Sequence, residues 1–123
     1  GRDPLYCTAL GKAILAYSDE ATIEDYLKSV KMEAKTDKTI TSTKALRDEI
    51  NSIKDKGYAI DDEEIIIGLR CVAVPIFDQQ NAVIAAISIS IPTIRINAGN
   101  FEGYKNDLIF AAREISNKLG ANK

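Results

Sequence analysis

The stretch GYAIDDEEIIIGLRCVAVPIFDQQNAVIAAISISIP, running from Gly57 to Pro92, decides the fold. Two runs rich in β-branched residues flank Asp78-Gln79-Gln80-Asn81, a polar, turn-forming tetrapeptide, and this pattern predicts an antiparallel hairpin, not a crossover. Pairing Phe77 with Ala82 sets Cys71 opposite Ser88 and Leu69 opposite Ser90, and side-chain alternation then puts all four on one face. Ala73, Pro75, Ile84 and Ala86 share that face, while Arg70, Val72, Val74, Ile76, Val83, Ala85, Ile87 and Ile89 take the other. The face that carries the cysteine and serines is built of small residues. Small side chains leave volume that either a closely packed helix or a small ligand must fill.

Just upstream, Tyr58 and Ile60 alternate with Ala59 and Asp61 as in a half-buried strand, with Asp61 on the less apolar side. The tetrad Asp61-Asp62-Glu63-Glu64 has three readings: a solvated loop, a metal site or a corner that reads a ligand. The spaced oxygen ligands of an EF-hand loop are absent, which argues against calcium. Ile65-Ile66-Ile67 before Gly68 forms either the lid or wall of a pocket or plain core.

Helical signals surround this region. Thr8 precedes LGKAILAY, whose Leu10, Ala13, Ile14 and Tyr17 recur at helical spacing. The amides of Ala9, Leu10 and Gly11 would point out of its start, where unpaired N–H groups and the helix dipole favour a carboxylate or phosphate; the alternative is a helix simply capped by Thr8. Ser18-Asp19-Glu20 opens a second helix with Ile23, Tyr26, Leu27 and Val30 as its apolar stripe. Thr39-Ile40-Thr41 is either a short strand or loop. Ser42 caps a third helix through Lys56, lined by Leu46, Ile50 and Ile53 and stopped by Gly57. After Pro92 the chain reads as irregular to Asn100, and a last helix follows from Tyr104 to Leu119, with Leu108, Ala111, Ala112, Ile115 and Leu119 as its packed side.

A chain of 123 residues makes one domain able to hold a core without staples. Its net charge of -2 and lack of a basic run give no footprint for nucleic acid. Cys7 and Cys71 form no CxxC pair and suggest neither a disulfide framework nor a zinc cage, so a reduced, cytoplasmic setting is expected. No apolar run approaches the roughly 20 residues of a spanning helix, and no membrane role is expected. Histidine is absent, which leaves Cys71, Ser88 and Ser90 without the usual partner of a catalytic nucleophile. No catalytic residue, metal ligand or cofactor is assigned.

Five segments together carry a family resemblance: PLYCTALGKAILA at Pro4 to Ala16, Thr39-Ile40, GYAIDDEE at Gly57 to Glu64, GLRCVAVPIFD at Gly68 to Asp78 and AAISIS at Ala85 to Ser90. In that order and spacing the chain resembles the C-terminal effector-binding domain of IclR-type bacterial transcription regulators. The resemblance implies a GAF/profilin-like α+β fold, an antiparallel sheet flanked by helices. It implies a sensor of a small carboxylate, an oxo, hydroxy or sugar acid, which changes how a linked helix-turn-helix domain engages DNA. The family's ligand-binding positions fall here on Ala9, Leu10, Asp61, Leu69, Cys71, Ser88 and Ser90. The ligand's carboxylate is expected at the amides of Ala9 and Leu10 with the two serine hydroxyls donating, Asp61 meeting a ligand hydroxyl or being protonated itself, and Leu69 with Ile65 to Ile67 supplying apolar wall.

Family members carry an N-terminal helix-turn-helix, and further strands and a helix before the segment matching Leu5. Residues 1–123 therefore read as a partial effector domain whose DNA contact belongs to a domain absent from this chain. An open sheet edge, self-association as a homodimer or homotetramer and an incomplete pocket mouth are expected. Two other readings stand beside the sensor: a hydrolase using Cys71 with Asp61 or Glu64 as base, and an oligomerisation module without ligand.

Overall fold

The computed structural model describes residues 5–121, so Pro4 of the first quoted segment lies outside the described residues. Helices α1 (Ala9–Ala16), α2 (Glu20–Ser29) and α3 (Thr43–Lys56) precede strands β1 (Ala59–Asp62), β2 (Leu69–Phe77) and β3 (Val83–Pro92). A 3-10 turn at Thr93–Arg95 then leads into α4 (Ala98–Lys118). The three strands form one antiparallel sheet in the order β1-β2-β3, giving an α+β architecture.

Each of the first three helices starts on a side-chain cap that satisfies an orphan amide. Thr8 accepts from the Gly11 amide, Asp19 from Thr22 and Ser42 from Ala45. Helix α3 ends as expected on Gly57 in the left-handed region, at φ 87°.

The sheet is covered on both faces. Val72, Val74 and Ile76 of β2 are buried with Leu108 and Ala112 of α4, and Ile60, Ile87 and Ile89 pack around them. On the opposite face Ala59 and Ala73 are buried among Ala9, Ala13 and Ala16 of α1, Ile23 of α2 and Leu46, Ile50 and Ile53 of α3. The small residues of this face thus admit a close helix at one end of the sheet. At the other end they leave a cavity.

The hairpin register differs from the expected one. Phe77 lies opposite Val83, not Ala82, and a bulge between Ile76 and Phe77 adds a second shift of one, so Cys71 faces Ser90, Ala73 faces Ser88 and Leu69 faces Pro92. The cause is the loop. Asp78 Oδ1 accepts from the amides of Gln80 and Ala82, the Asp78 amide donates to the Ala82 carbonyl at 3.0 Å, and Asn81 takes φ 59°, which keeps Ala82 in the turn. Two shifts of one residue restore the parity of the strand, and the predicted faces survive.

One open alternative is decided and two other expectations change. The Thr39 segment is loop, because the Thr39 hydroxyl turns to the Glu64 carbonyl while accepting from the amides of Lys35 and Thr36. Asp61 lies on the buried face of β1 beside Ala59, since a small residue and a carboxylate leave room for α1 that Tyr58 and Ile60 would not. Helix α4 begins at Ala98 because Asn97 and Asn100 close a reciprocal capping box. Its packed line includes Leu108 and Ala112 as predicted and Ser116, whose hydroxyl accepts from the Phe77 amide at 3.0 Å, whereas Ile115 and Leu119 are exposed.

Candidate ligand-binding site

Strand register sets three polar side chains in a row across the sheet. Asp61 of β1 pairs with Cys71 of β2, and Cys71 pairs with Ser90 of β3, with Cys71 Sγ 3.1 Å from Ser90 Oγ. The start of α1 faces this row. Between them lies a cavity of about 310 Å³ lined by Thr8, Ala9, Leu10, Asp61, Ile65, Ile66, Leu69, Cys71, Ser88 and Ser90. All seven residues singled out in the sequence are in that lining, and Thr8, Ile65 and Ile66 join them. Ile67 is exposed and does not.

The two sides of the cavity offer different chemistry. At the α1 side, the Gly11 amide is held by the Thr8 hydroxyl at 2.9 Å, which leaves the Ala9 and Leu10 amides as the first-turn donors. Ser88 and Ser90 are exposed and add hydroxyls from β3. At the β1 side stands Asp61, 4% exposed, whose Oδ1 accepts from the Glu64 amide at 2.7 Å. Burial pushes the Asp61 carboxyl above its ordinary range, opposed by that hydrogen bond and by the Lys12 charge.

The acidic tetrad is not a solvated loop. Glu64 is buried, and its Oε2 meets Lys12 Nζ at 2.8 Å. Lys12 is itself 0% exposed, and its ammonium uses all three donors, on Glu64, on Glu49 Oε2 at 3.0 Å and on the Ile60 carbonyl at 2.6 Å. Glu63 adopts φ 61°, accepts from the Gly68 amide at 2.8 Å and pairs with Lys38, while Thr36 donates to its carbonyl at 2.6 Å. The loop that carries Ile65 and Ile66 is therefore tied down at both its acidic residues. Among the described residues no cluster of three metal-ligating side chains occurs.

Lys12 is the residue that sequence reasoning missed. The signal was there: residues 9, 12, 13 and 16 follow helical spacing on the buried side of α1, so Lys12 occupies a core position among alanines. A lysine on such a face needs carboxylate partners, and the tetrad supplies one.

Cys71 has the wrong electrostatics for a nucleophile. Burial raises its thiol, the Asp61 charge raises it further, and the Ser90 hydrogen bond only partly offsets them. A reactive cysteine needs a lowered thiol in an electropositive surrounding.

Comparison with known proteins fits this arrangement. The family model described as Bacterial transcriptional regulator IclR C-terminal matches residues 1–117. The chain belongs to the IclR family. It is 44% identical over 119 residues to the HTH-type transcriptional regulator KdgR of Escherichia coli, a match covering 97% of this chain and 45% of that protein. Identity to the transcriptional repressor IclR of the same organism is 35%, over 98% of this chain and 44% of the repressor. The chain thus spans a little under half the length of these relatives, which are named as regulators and repressors and place it in a non-enzymatic family. Among solved structures, the C-terminal domain of Escherichia coli KdgR superposes with a TM-score of 0.90 at 43% identity, covering 98% of this chain and 73% of that one. The IclR protein of Thermotoga maritima gives 0.87 at 44% identity, over 94% of this chain and 47% of that one. The fold is that of IclR effector-binding C-terminal domains, and no helix among the described residues is long and apolar enough to cross a membrane.

Proposed function

We propose that the domain senses a small carboxylate, an oxo, hydroxy or sugar acid, in the cavity between α1 and the Asp61–Cys71–Ser90 row, and that occupancy changes how a linked helix-turn-helix domain engages DNA. The observation that carries this reading is the polarity of the cavity: amides and hydroxyls converge at one side and a single buried carboxyl stands at the other. The ligand's carboxylate lies against Ala9, Leu10, Ser88 and Ser90. Asp61 takes a hydroxyl or carbonyl at the far end, while Leu69, Ile65 and Ile66 limit length. A volume of about 310 Å³ is at the small end of ligand pockets. A ligand of about six heavy atoms has a ceiling near 9 kcal/mol by the limit of roughly 1.5 kcal/mol per atom, which gives micromolar to millimolar affinity.

Titration calorimetry with pyruvate, D-gluconate and related acids tests this. Ser88→Ala, Ser90→Ala and Asp61→Ala each lower the affinity of the best acid by about tenfold or more, as loss of a charge-assisted bond of about 1.5 to 3 kcal/mol requires. Unchanged affinity in all three variants, or no thermal shift with any acid, sinks the assignment and leaves the ligand-free oligomerisation module.

DNA contact belongs, in this reading, to a helix-turn-helix of the kind the relatives' names record, and the setting is the bacterial cytoplasm. No cofactor is needed. Strand β3 ends the sheet with one side unpaired among the described strands, so the chain self-associates as a homodimer or homotetramer. Sedimentation that returns a monomer at every concentration, together with full acid binding, contradicts that assembly.

A further inference from the structure

We propose that the domain has a second small-molecule site, beside the open end of β2, which takes an aromatic monocarboxylate: its ring against an apolar inner surface and its carboxylate between Lys56 and Arg113. No lining residue is common to this cavity and the one at the start of α1.

The site exists because β2 outruns β1. Pairing between the two strands begins at Ala59 and Ala73, so Val74 to Phe77 continue without a β1 partner. An open strand edge ordinarily invites another strand. This one does not, because Pro75 has no amide N–H and the Phe77 amide donates to the Ser116 hydroxyl at 3.0 Å. Beside the edge lies a cavity of about 320 Å³, bounded by the C-terminal end of α3 and by α4.

Its inner surface is apolar. Val74, Pro75, Phe77 and Ala112 are buried there, and the Tyr17 and Phe77 rings meet edge to face with centroids 5.2 Å apart. A ligand ring extends that aromatic packing. The Tyr17 hydroxyl is already engaged, on the Ile53 and Lys54 carbonyls at 3.3 Å each. The charged residues of the lining, by contrast, are all basic: Lys54, Lys56 and Arg113. Asp55, the carboxylate that acts on Tyr17, stands outside the lining. Lys54 is 3.8 Å from Glu20, which Arg47 already holds at 2.7 Å. Lys56 and Arg113 are exposed, and among the described residues neither has a carboxylate within ion-pair distance. Lys56 instead rests over the Tyr58 ring at 5.2 Å, a ring that Lys105 also approaches at 4.8 Å. The two lysines alone would do no more than answer the dipole of α3. Arg113 comes from α4, so cations of two elements converge on one apolar surface. A bare anion gains nothing from that surface, and a neutral ring leaves the cations unpaired. A ring that carries one carboxylate satisfies both.

The test follows backbone amide signals of the whole 123-residue chain by NMR as phenylacetate is added. Saturable shifts are expected at Gly57, Val74 and Ser116. Lys56→Gln and Arg113→Gln each weaken binding about threefold and the double variant about tenfold, as loss of exposed charge-assisted contacts requires. Both positions are exposed, so the variants keep the fold, and the rest of the amide spectrum verifies it. Phenylacetamide, which has the same ring and no charge, binds about tenfold more weakly than phenylacetate. Shifts confined to Ala9, Leu10 and Cys71 would put the aromatic acid in the other cavity and overturn the proposal. No saturable shift at all, equal affinity for the amide, or unchanged affinity in the double variant overturns it too.

Discussion

Lys12→Met lowers the unfolding free energy by about 3 to 5 kcal/mol, a loss read as a fall in the urea midpoint at pH 7. The methionine fills the volume of the lysine stem, so little packing is lost. What the substitution leaves behind is Glu64, buried and stripped of its ammonium partner, with Oε1 already unpartnered. An uncompensated buried charge is the costly half of a broken ion pair. Glu49 suffers less, because its side chain is 25% exposed and turns to water. The Ile60 carbonyl also loses its donor. A second change, Glu64→Gln, separates these contributions: adding it to Lys12→Met recovers more than half of the loss, since the stranded Glu64 charge is gone. If the double variant is as unstable as the single one, the cost comes from the lysine stem or the Ile60 carbonyl. A domain of this size is stable by only about 5 to 15 kcal/mol, so the single variant sits near the edge of folding.

This cluster also explains which parts of the site were legible in the sequence. The period of two in Leu69 to Phe77 and Val83 to Pro92 declared which residues share a face, and two compensating one-residue shifts left that declaration intact. The register itself was not legible. It depends on Asp78 drawing two amides onto one carboxylate oxygen, an arrangement that composition does not distinguish from a tighter turn. The tetrad stayed open between three readings for a related reason. Four consecutive acids favour solvent, and only a cation from another element reverses that preference. Lys12 reaches Glu64 from 52 positions away. Helix α4 was placed too late because its first turns hold Gly99 and Gly103 and little apolar sequence beyond Phe101, whose ring packs under the Arg70 guanidinium at 4.9 Å. A distant partner decided the outcome for the tetrad, whereas local side-chain hydrogen bonds, of Asp78 in the hairpin loop and of Asn97 with Asn100, decided the register and the start of α4.

Gly11→Ala reverses the usual sign of such a change and damages the cavity as well as the fold. At an unobstructed helix position alanine is favoured over glycine by about 1 kcal/mol. Gly11 is obstructed. A Cβ built there falls 2.5 Å from Thr8 Oγ1, 2.7 Å from Leu5 Cα and 3.0 Å from the Leu5 carbonyl. Two of those atoms are backbone and cannot swing aside, so the segment that leads into α1 must move. The third is the hydroxyl that caps the helix by accepting from the Gly11 amide at 2.9 Å. Overpacking costs about 1 to 3 kcal/mol, and a lost cap costs about 1 kcal/mol more, which outweighs the gain in propensity. Because Thr8, Ala9 and Leu10 line the cavity, the displacement also spoils the donors that hold a carboxylate, and acid affinity falls together with stability. Gly103→Ala in α4 provides the control, since a Cβ there meets nothing within 4 Å. It raises stability by about 0.5 to 1 kcal/mol and leaves acid binding alone. Urea titration of both variants, with calorimetry on the same samples, decides the matter: equal stabilisation by the two alanines would show that the chain before α1 yields freely, and that the close approach of Leu5 to Gly11 does not hold the helix start in place.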